Sequence, residues 1–204
     1  MISTWLPLIG VVVFLGIVCC WRPWLQSRRH GSSGVLLFRA GRWQQNVRDA
    51  LGVVLLVCVV GQAIAAAAWP GSLFPREEFS RESATQVTGA VLLFGGIVFL
   101  VMAQLNLGAS WRIGIDEGTS PGLVTSGLYR FCRNPIFLAI LTVLTGYTLL
   151  LPTRLSLTLL LGAFIGIRQQ VLAEEAYLLR AYGDAYREYA RNVGRFLPGV
   201  GRLR

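Results

Sequence analysis

Lysine is absent from this 204-residue chain, and histidine occurs once, at His30. A single histidine argues against a histidine-based metal centre and against a Ser-His triad. Cysteine occurs at Cys19, Cys20, Cys58 and Cys132, and no two of these stand in a C-x-x-C spacing, so there is no zinc or redox signature. No Gly-rich phosphate motif links a strand to a helix; Gly199-Val200-Gly201 is a fragment of the tail. No internal repeat of about 20 to 50 residues is visible either. Acidic residues number ten against 19 arginines, a net charge of +9. In a soluble protein that balance would suggest nucleic-acid binding. Here the arginines cluster beside apolar runs, as membrane topology signals do, and no nucleic-acid partner is expected.

Apolar residues are abundant. With 54% hydrophobic and 14% charged residues and a mean hydropathy of +0.57, the chain is not a soluble globular domain. Five apolar segments can be drawn, at about Trp5–Cys20, Ala50–Trp69, Val87–Leu105, Ile136–Leu151 and Leu155–Leu172. A helix needs about 20 residues, range about 17 to 25, to span a bilayer. The second and third segments satisfy this, and the first does with its flanks. The last two are shorter, meet at Pro152-Thr153-Arg154, and read as a helical hairpin. The expected fold is therefore all-α: a polytopic membrane protein of about five transmembrane helices with a cytosolic helical tail. Residues 1–106 read as a three-helix anchor and 107–204 as the half that carries the polar motifs, the hairpin and the tail.

Sixteen arginines fall in the connections after the first and third segments and in the tail. Three, Arg76, Arg81 and Arg154, fall on the other side. That asymmetry places the N-terminus outside and the C-terminus in the cytoplasm. Trp5, Trp21, Trp24 and Trp69 stand near segment ends, where indole rings favour the interface. The first segment lacks the basic n-region and A-x-A pattern of a cleaved signal peptide. The connection Gln26 to Gln45 has room for a short interfacial helix, and Pro70 to Ala84 reads as a turn-like outer loop. In the tail, Tyr177, Leu178, Tyr182, Tyr186 and Tyr189 recur at helical spacing, a pattern usual for packing on a membrane surface or partner helix. Gly183 interrupts the stripe and suggests two helical pieces. Gln62, Gln104 and Asn106 read as interhelical hydrogen-bond partners.

Charged groups at the membrane boundary are a functional hypothesis by default. The run from Gly122 to Phe137 is a polar loop that carries Arg130 and Arg133 and leads into an apolar helix opening at Pro135. Pro135 suits a first helical turn and Asn134 an N-cap. From Ile136 to Leu151 a helix covers about 24 Å, short of the roughly 30 Å hydrocarbon core. The returning helix brings Arg168, Glu174 and Glu175 back to the same depth, with Arg168 and Glu175 on one face. An arginine fork matches a carboxylate, and a glutamate can accept from vicinal hydroxyls or hold an ammonium. Tyr129, Phe131 and Phe137 offer stacking surfaces. Such groups suit a zwitterionic, ribose-bearing cofactor, with a hydrophobic acceptor entering from the bilayer.

Leu123-Val124-Thr125-Ser126-Gly127-Leu128-Tyr129 followed by Arg133-Asn134-Pro135-Ile136-Phe137 resembles the signature of the isoprenylcysteine carboxyl methyltransferase family, in its bacterial form. The Glu174-Glu175 pair, the tyrosines from Tyr182 to Tyr189, Val193 to Pro198, and Leu107 to Arg112 match in order and spacing. The resemblance covers about Leu105 to Pro198. It implies a helical membrane enzyme, expected in the bacterial plasma membrane, that binds S-adenosylmethionine at the cytosolic boundary. It further implies methyl transfer to a small or lipidic acceptor. Carried over residue by residue, it makes Leu123, Val124, Tyr129, Arg133, Asn134, Pro135, Ile136, Phe137 and Glu174 the cofactor-binding residues.

Three departures stand out: Asn134 replaces the family's histidine, Ala139 its glycine, and Gln170 an arginine. They leave the acceptor open among carboxylates, thiols and amines. Direct displacement at the activated methyl is the expected mechanism. Arg168 is the expected orienting group for an anionic acceptor. Glu175 is the expected base where the acceptor needs deprotonation. The alternatives are a nicotinamide-dependent membrane reductase of related architecture and an inactive membrane scaffold.

Overall fold

A computed structural model describes residues 5–39, 41–69, 83–114 and 122–203. The connection 70–82, with Arg76, Arg81, Glu77, Glu78 and Glu82, lies outside the described residues, as do residues 115–121.

The first rod comprises α1 (Leu6–Leu15), a π-helical stretch (Gly16–Trp21) and α2 (Arg22–His30). It outruns the expected end at Cys20 because its polar extension is matched elsewhere in the fold. Arg22 is buried and donates to the carbonyls of Gln104 (3.3 Å) and Gly108 (2.9 Å), while its guanidinium lies over the Trp111 ring. A cation at a helix C-terminus satisfies orphan carbonyls and opposes the macrodipole. Gln26 adds a bond to the Ala109 carbonyl at 3.0 Å. The rod stops at Gly31, whose φ of 73° closes the last turn onto Ser27.

The remaining helices are α3 (Trp43–Ala68), α4 (Ser83–Leu107), α5 (Pro135–Leu150) and α6 (Arg154–Asn192). Among the described residues, four helical stretches are long and apolar enough to cross a membrane: Leu6–His30, Trp43–Ala68, Ser83–Ser110 and Arg154–Asn192. Helix α5 has 16 residues, so its ends cannot both reach bulk water across a full hydrocarbon core. The all-α polytopic fold expected from the apolar runs is the fold observed.

Helices α4 and α5 form the closest pair. A Cβ on Gly146 would overlap the α4 backbone at Leu93, and one on Gly96 would lie 2.9 Å from the Val143 side chain. Small residues thus let the two backbones approach, the usual device for helix association in lipid. Val59, Ala63, Leu93, Ile97, Val143, Tyr147 and Leu150 fill the core between these helices and α3. Gln62 crosses that core, donating to the hydroxyls of Thr153 (2.7 Å) and Ser156 (3.0 Å) and accepting from Tyr147 at 3.1 Å. Thr153 in turn caps α6 by accepting from the Ser156 amide. The tight hairpin between α5 and α6 is therefore pinned from α3. It returns α6 to the level where α5 began.

Candidate active site

The site starts with the loop ahead of α5. Asn106, at the end of α4, accepts from the Leu128 amide at 2.7 Å and so fixes the 3₁₀ turn Gly127–Arg130. Gly127 has a φ of 61° and lies against the Asn106 side chain, so only glycine fits there. Gly122, at the loop's start, donates to the Tyr182 hydroxyl at 3.2 Å, and its carbonyl accepts from Ser110 at 3.4 Å. Both ends of the loop are tied, one to α4 and the other to α6.

Arg133 and Glu175 occupy one floor of the site. Arg133 Nε and Nη2 donate to Glu175 Oε1 at 3.2 and 2.9 Å. Arg133 Nη1 donates to the carbonyls of Ala190 (2.8 Å) and Val193 (2.5 Å), and Nη2 also donates to Gly201 (3.0 Å). A guanidinium has five N–H donors, and here all five are used within the protein. Glu175 is equally committed: Arg195 Nε and Nη2 reach its Oε2 at 3.1 and 2.8 Å. Asn134 stands at the N-cap position of α5, yet its side chain does not cap the helix. It turns instead to Glu175 Oε1 (3.5 Å) and to the Arg195 carbonyl (3.2 Å). The amides of Arg133 and Asn134 donate to the carbonyls of Gly194 and Arg195, closing a short parallel contact with the tail. Buried charges persist when they are paired and fully hydrogen-bonded, which this clamp achieves.

Glu174 lies one helical step, about 100°, round α6 from Glu175. It faces a cavity of about 170 Å³ bounded by three groups of residues. The loop and the start of α5 contribute Gly122, Leu123, Val124, Tyr129, Arg133, Asn134, Ile136 and Phe137. The end of α4 and its extension contribute Leu107, Ser110, Arg112 and Gly114. Helix α6 contributes Glu174, Tyr177, Leu178, Tyr182, Tyr186 and Tyr189. Arg112 lies over the Tyr177 ring at 5.6 Å, and Tyr189 donates to the Tyr129 carbonyl at 2.6 Å. Burial, with the Glu174 charge nearby, pushes the Tyr129 phenol above its ordinary range, so it stays protonated at neutral pH. Burial likewise pushes the Cys132 thiol up, so it does not offer a thiolate nucleophile.

The fold thus gathers Leu123, Val124, Tyr129, Arg133, Asn134, Ile136, Phe137 and Glu174 around one cavity. Pro135 is buried beside it as the first residue of α5. Glu175 is held in the clamp rather than on the cavity wall. Arg168 is exposed and does not line the cavity, because it projects from a different face of α6 than Glu174. Phe131, considered for stacking, is half exposed and carries Arg130 over its ring.

A model of the family described as phospholipid methyltransferase matches residues 84–185, half of the chain. The chain belongs to this family. The protein-S-isoprenylcysteine O-methyltransferase of Schizosaccharomyces pombe is 33% identical to it over 100 residues, which cover 48% of this chain and 42% of that protein. A probable protein-S-isoprenylcysteine O-methyltransferase of Oryza sativa subsp. indica is 32% identical over 117 residues, covering 55% of this chain and 60% of the rice protein. The chain therefore spans about half the length of the curated relatives it matches. Among solved structures, that of the eukaryotic intramembrane Ras methyltransferase, isoprenylcysteine carboxyl methyltransferase, superposes with a TM-score of 0.61. It is 19% identical and covers 97% of this chain and 64% of the other, a likeness of fold.

For this phospholipid methyltransferase family member, sequence reasoning left Ser110, Arg112 and four α6 tyrosines without a place in the site. Their signal was present. The tyrosines recur at spacings of three to five residues, and Arg112 ends the Leu107 to Arg112 element. What was missing was the direction that face points. Arg195 carries no signal in the sequence beyond the Val193 to Pro198 match, and its role as the second cation on Glu175 depends on the folded tail.

Proposed function

We propose that this chain is an S-adenosylmethionine-dependent methyltransferase acting on a small or lipidic acceptor at the cytosolic membrane boundary. The observation that carries this reading is the convergence of the motif loop, Glu174, Arg112 and the α6 tyrosines on one cavity beside the short helix α5. The chemistry of the wall fits the cofactor. A carboxylate and a guanidinium match a group bearing both an ammonium and a carboxylate. Tyrosine rings and Phe137 offer faces for a heteroaromatic base. Arg133 contributes by holding the loop, Glu175 and the tail together, since its donors are already spent.

S-adenosylmethionine, when bound, supplies a methyl group activated by its sulfonium. The protein's part is to align donor and acceptor and to keep water out. For an acceptor that must lose a proton, Glu174 is the carboxylate that faces the cavity, whereas Glu175 is engaged by two arginines. The acceptor stays within the classes of carboxylate, thiol and amine, reached through the bilayer.

Calorimetry of the detergent-purified protein with S-adenosylmethionine and with NADPH tests the cofactor. Binding of the first and not the second is expected, and the reverse would refute the reading. Transfer of a labelled methyl group into a membrane lipid extract would then identify the acceptor class.

A further inference from the structure

Glu174 does not stand alone on its helix. Its Oε1 accepts from Gln170 Nε2 at 3.0 Å, one turn earlier on α6. Gln170 Oε1 accepts in turn from Gln45 Nε2 at 3.3 Å, which comes from the start of α3. Gln45 is buried, and its Oε1 accepts twice from Arg48, at 3.2 and 2.7 Å. Its Nε2 also donates to Asp49 Oδ1 at 2.7 Å, and Asp49 Oδ2 accepts from the Phe38 amide at 2.8 Å. Every amide in this chain therefore takes a proton at its oxygen and gives one at its nitrogen. The sequence of donation runs from the Arg48 guanidinium, through Gln45 and Gln170, to the Glu174 carboxylate.

Both ends enforce that order. A flipped Gln170 would set two oxygens against each other at Glu174, and a flipped Gln45 would present its N–H groups to Arg48. Hydrogen bonds in a low dielectric that share one direction strengthen one another. The array holds the Glu174 side chain in a single orientation as an acceptor from Gln170. Around that carboxylate stand Arg112 from the α4 extension, Arg48 from α3, Tyr129 from the motif loop and Glu175 from α6 itself. Gln170 is the link across which α3 reaches the site.

We infer that Gln45 and Gln170 are positioning residues for Glu174, so that the first half of the chain completes the binding site. The inference rests on Glu174 contacting the cofactor. Its consequence is that the amino-terminal helices are more than an anchor: α3 controls the rotamer of a carboxylate carried by α6.

The test is a double-mutant cycle on the full-length protein, using Gln45→Leu, Gln170→Leu and both together. Affinity for S-adenosylhomocysteine is measured by calorimetry, and the unfolding temperature is measured without ligand. Gln170→Leu, which removes the hydrogen bond to the Glu174 carboxylate, is expected to weaken binding about tenfold. Gln45→Leu, which leaves Gln170 without its donor, is expected to weaken it by up to the same factor. The double variant should be no weaker than Gln170→Leu, because the two act in series. Unchanged affinity despite a lowered unfolding temperature would reduce both residues to packing roles and overturn the inference. So would losses that add in the double variant. Should Gln45→Leu not fold, Gln170→Leu and Arg48→Ala carry the same comparison. Binding by the wild type that no variant weakens defeats the positioning role alone. Failure of the wild type to bind defeats the methyl-transfer reading, and this inference falls with it.

Discussion

Two adjacent glutamates divide the labour of this site because successive residues on a helix point about 100° apart. Glu175 turns inward to Arg133 and Arg195, and Glu174 turns to the cavity. Their substitutions should therefore differ in kind. Glu175→Ala leaves Arg133 buried without its anionic partner and is expected to cost about 3–5 kcal/mol of stability. Glu174→Ala removes one hydrogen bond at a cavity wall and is expected to cost less than about 1.5 kcal/mol, while ligand affinity falls at least tenfold. Thermal unfolding in detergent alongside calorimetry checks both, and equal destabilisation by the two would contradict the division. The pair is conspicuous in the sequence as Glu174-Glu175. Which member faces the cavity depends on the rotation of α6 against α5, and residue spacing does not contain that rotation.

The elements show the same split between local and distant causes. Pro135 at the head of α5, the turn Pro152-Thr153-Arg154 before α6 and the break at Gly183 act within a few residues of themselves, so the sequence announces them. Gly183 does sit in a non-helical conformation, with φ 52° and ψ −122°, and divides α6. The tail after α6 is different. Residues 193–203 have no periodicity to advertise a role, yet the carbonyls of Val193, Gly194, Arg195 and Gly201 and the Arg195 side chain all serve Arg133, Asn134 and Glu175. Ending the chain at Asn192 is expected to destabilise the clamp as severely as Glu175→Ala, since Glu175 loses a cation and Arg133 loses two carbonyls. Loss of protease resistance in the α5–α6 region, compared with the full chain, would show it. A truncated protein with unaltered unfolding temperature would mean the tail is dispensable.

At the scale of the whole molecule, the arginine asymmetry predicts an orientation that the helices accommodate but do not by themselves impose. A C-terminal alkaline phosphatase fusion is expected to be inactive and a C-terminal fluorescent protein fusion to be bright, as a cytoplasmic tail requires. The opposite pattern would invert the topology. Apolar runs by themselves determined that the protein is helical and polytopic, because lipid leaves a backbone few ways to satisfy its polar groups. The motif loop, Pro135 and the glutamate pair likewise carried their own local signature. Only the tertiary structure decided that Arg133 is a keystone with no donor to spare, that four tyrosines face a cavity rather than a surface, and that Gln45 reaches Glu174 across 129 residues of chain. Each of those outcomes depends on how helices distant in sequence are rotated and set against one another, and that is fixed by packing summed over the whole fold.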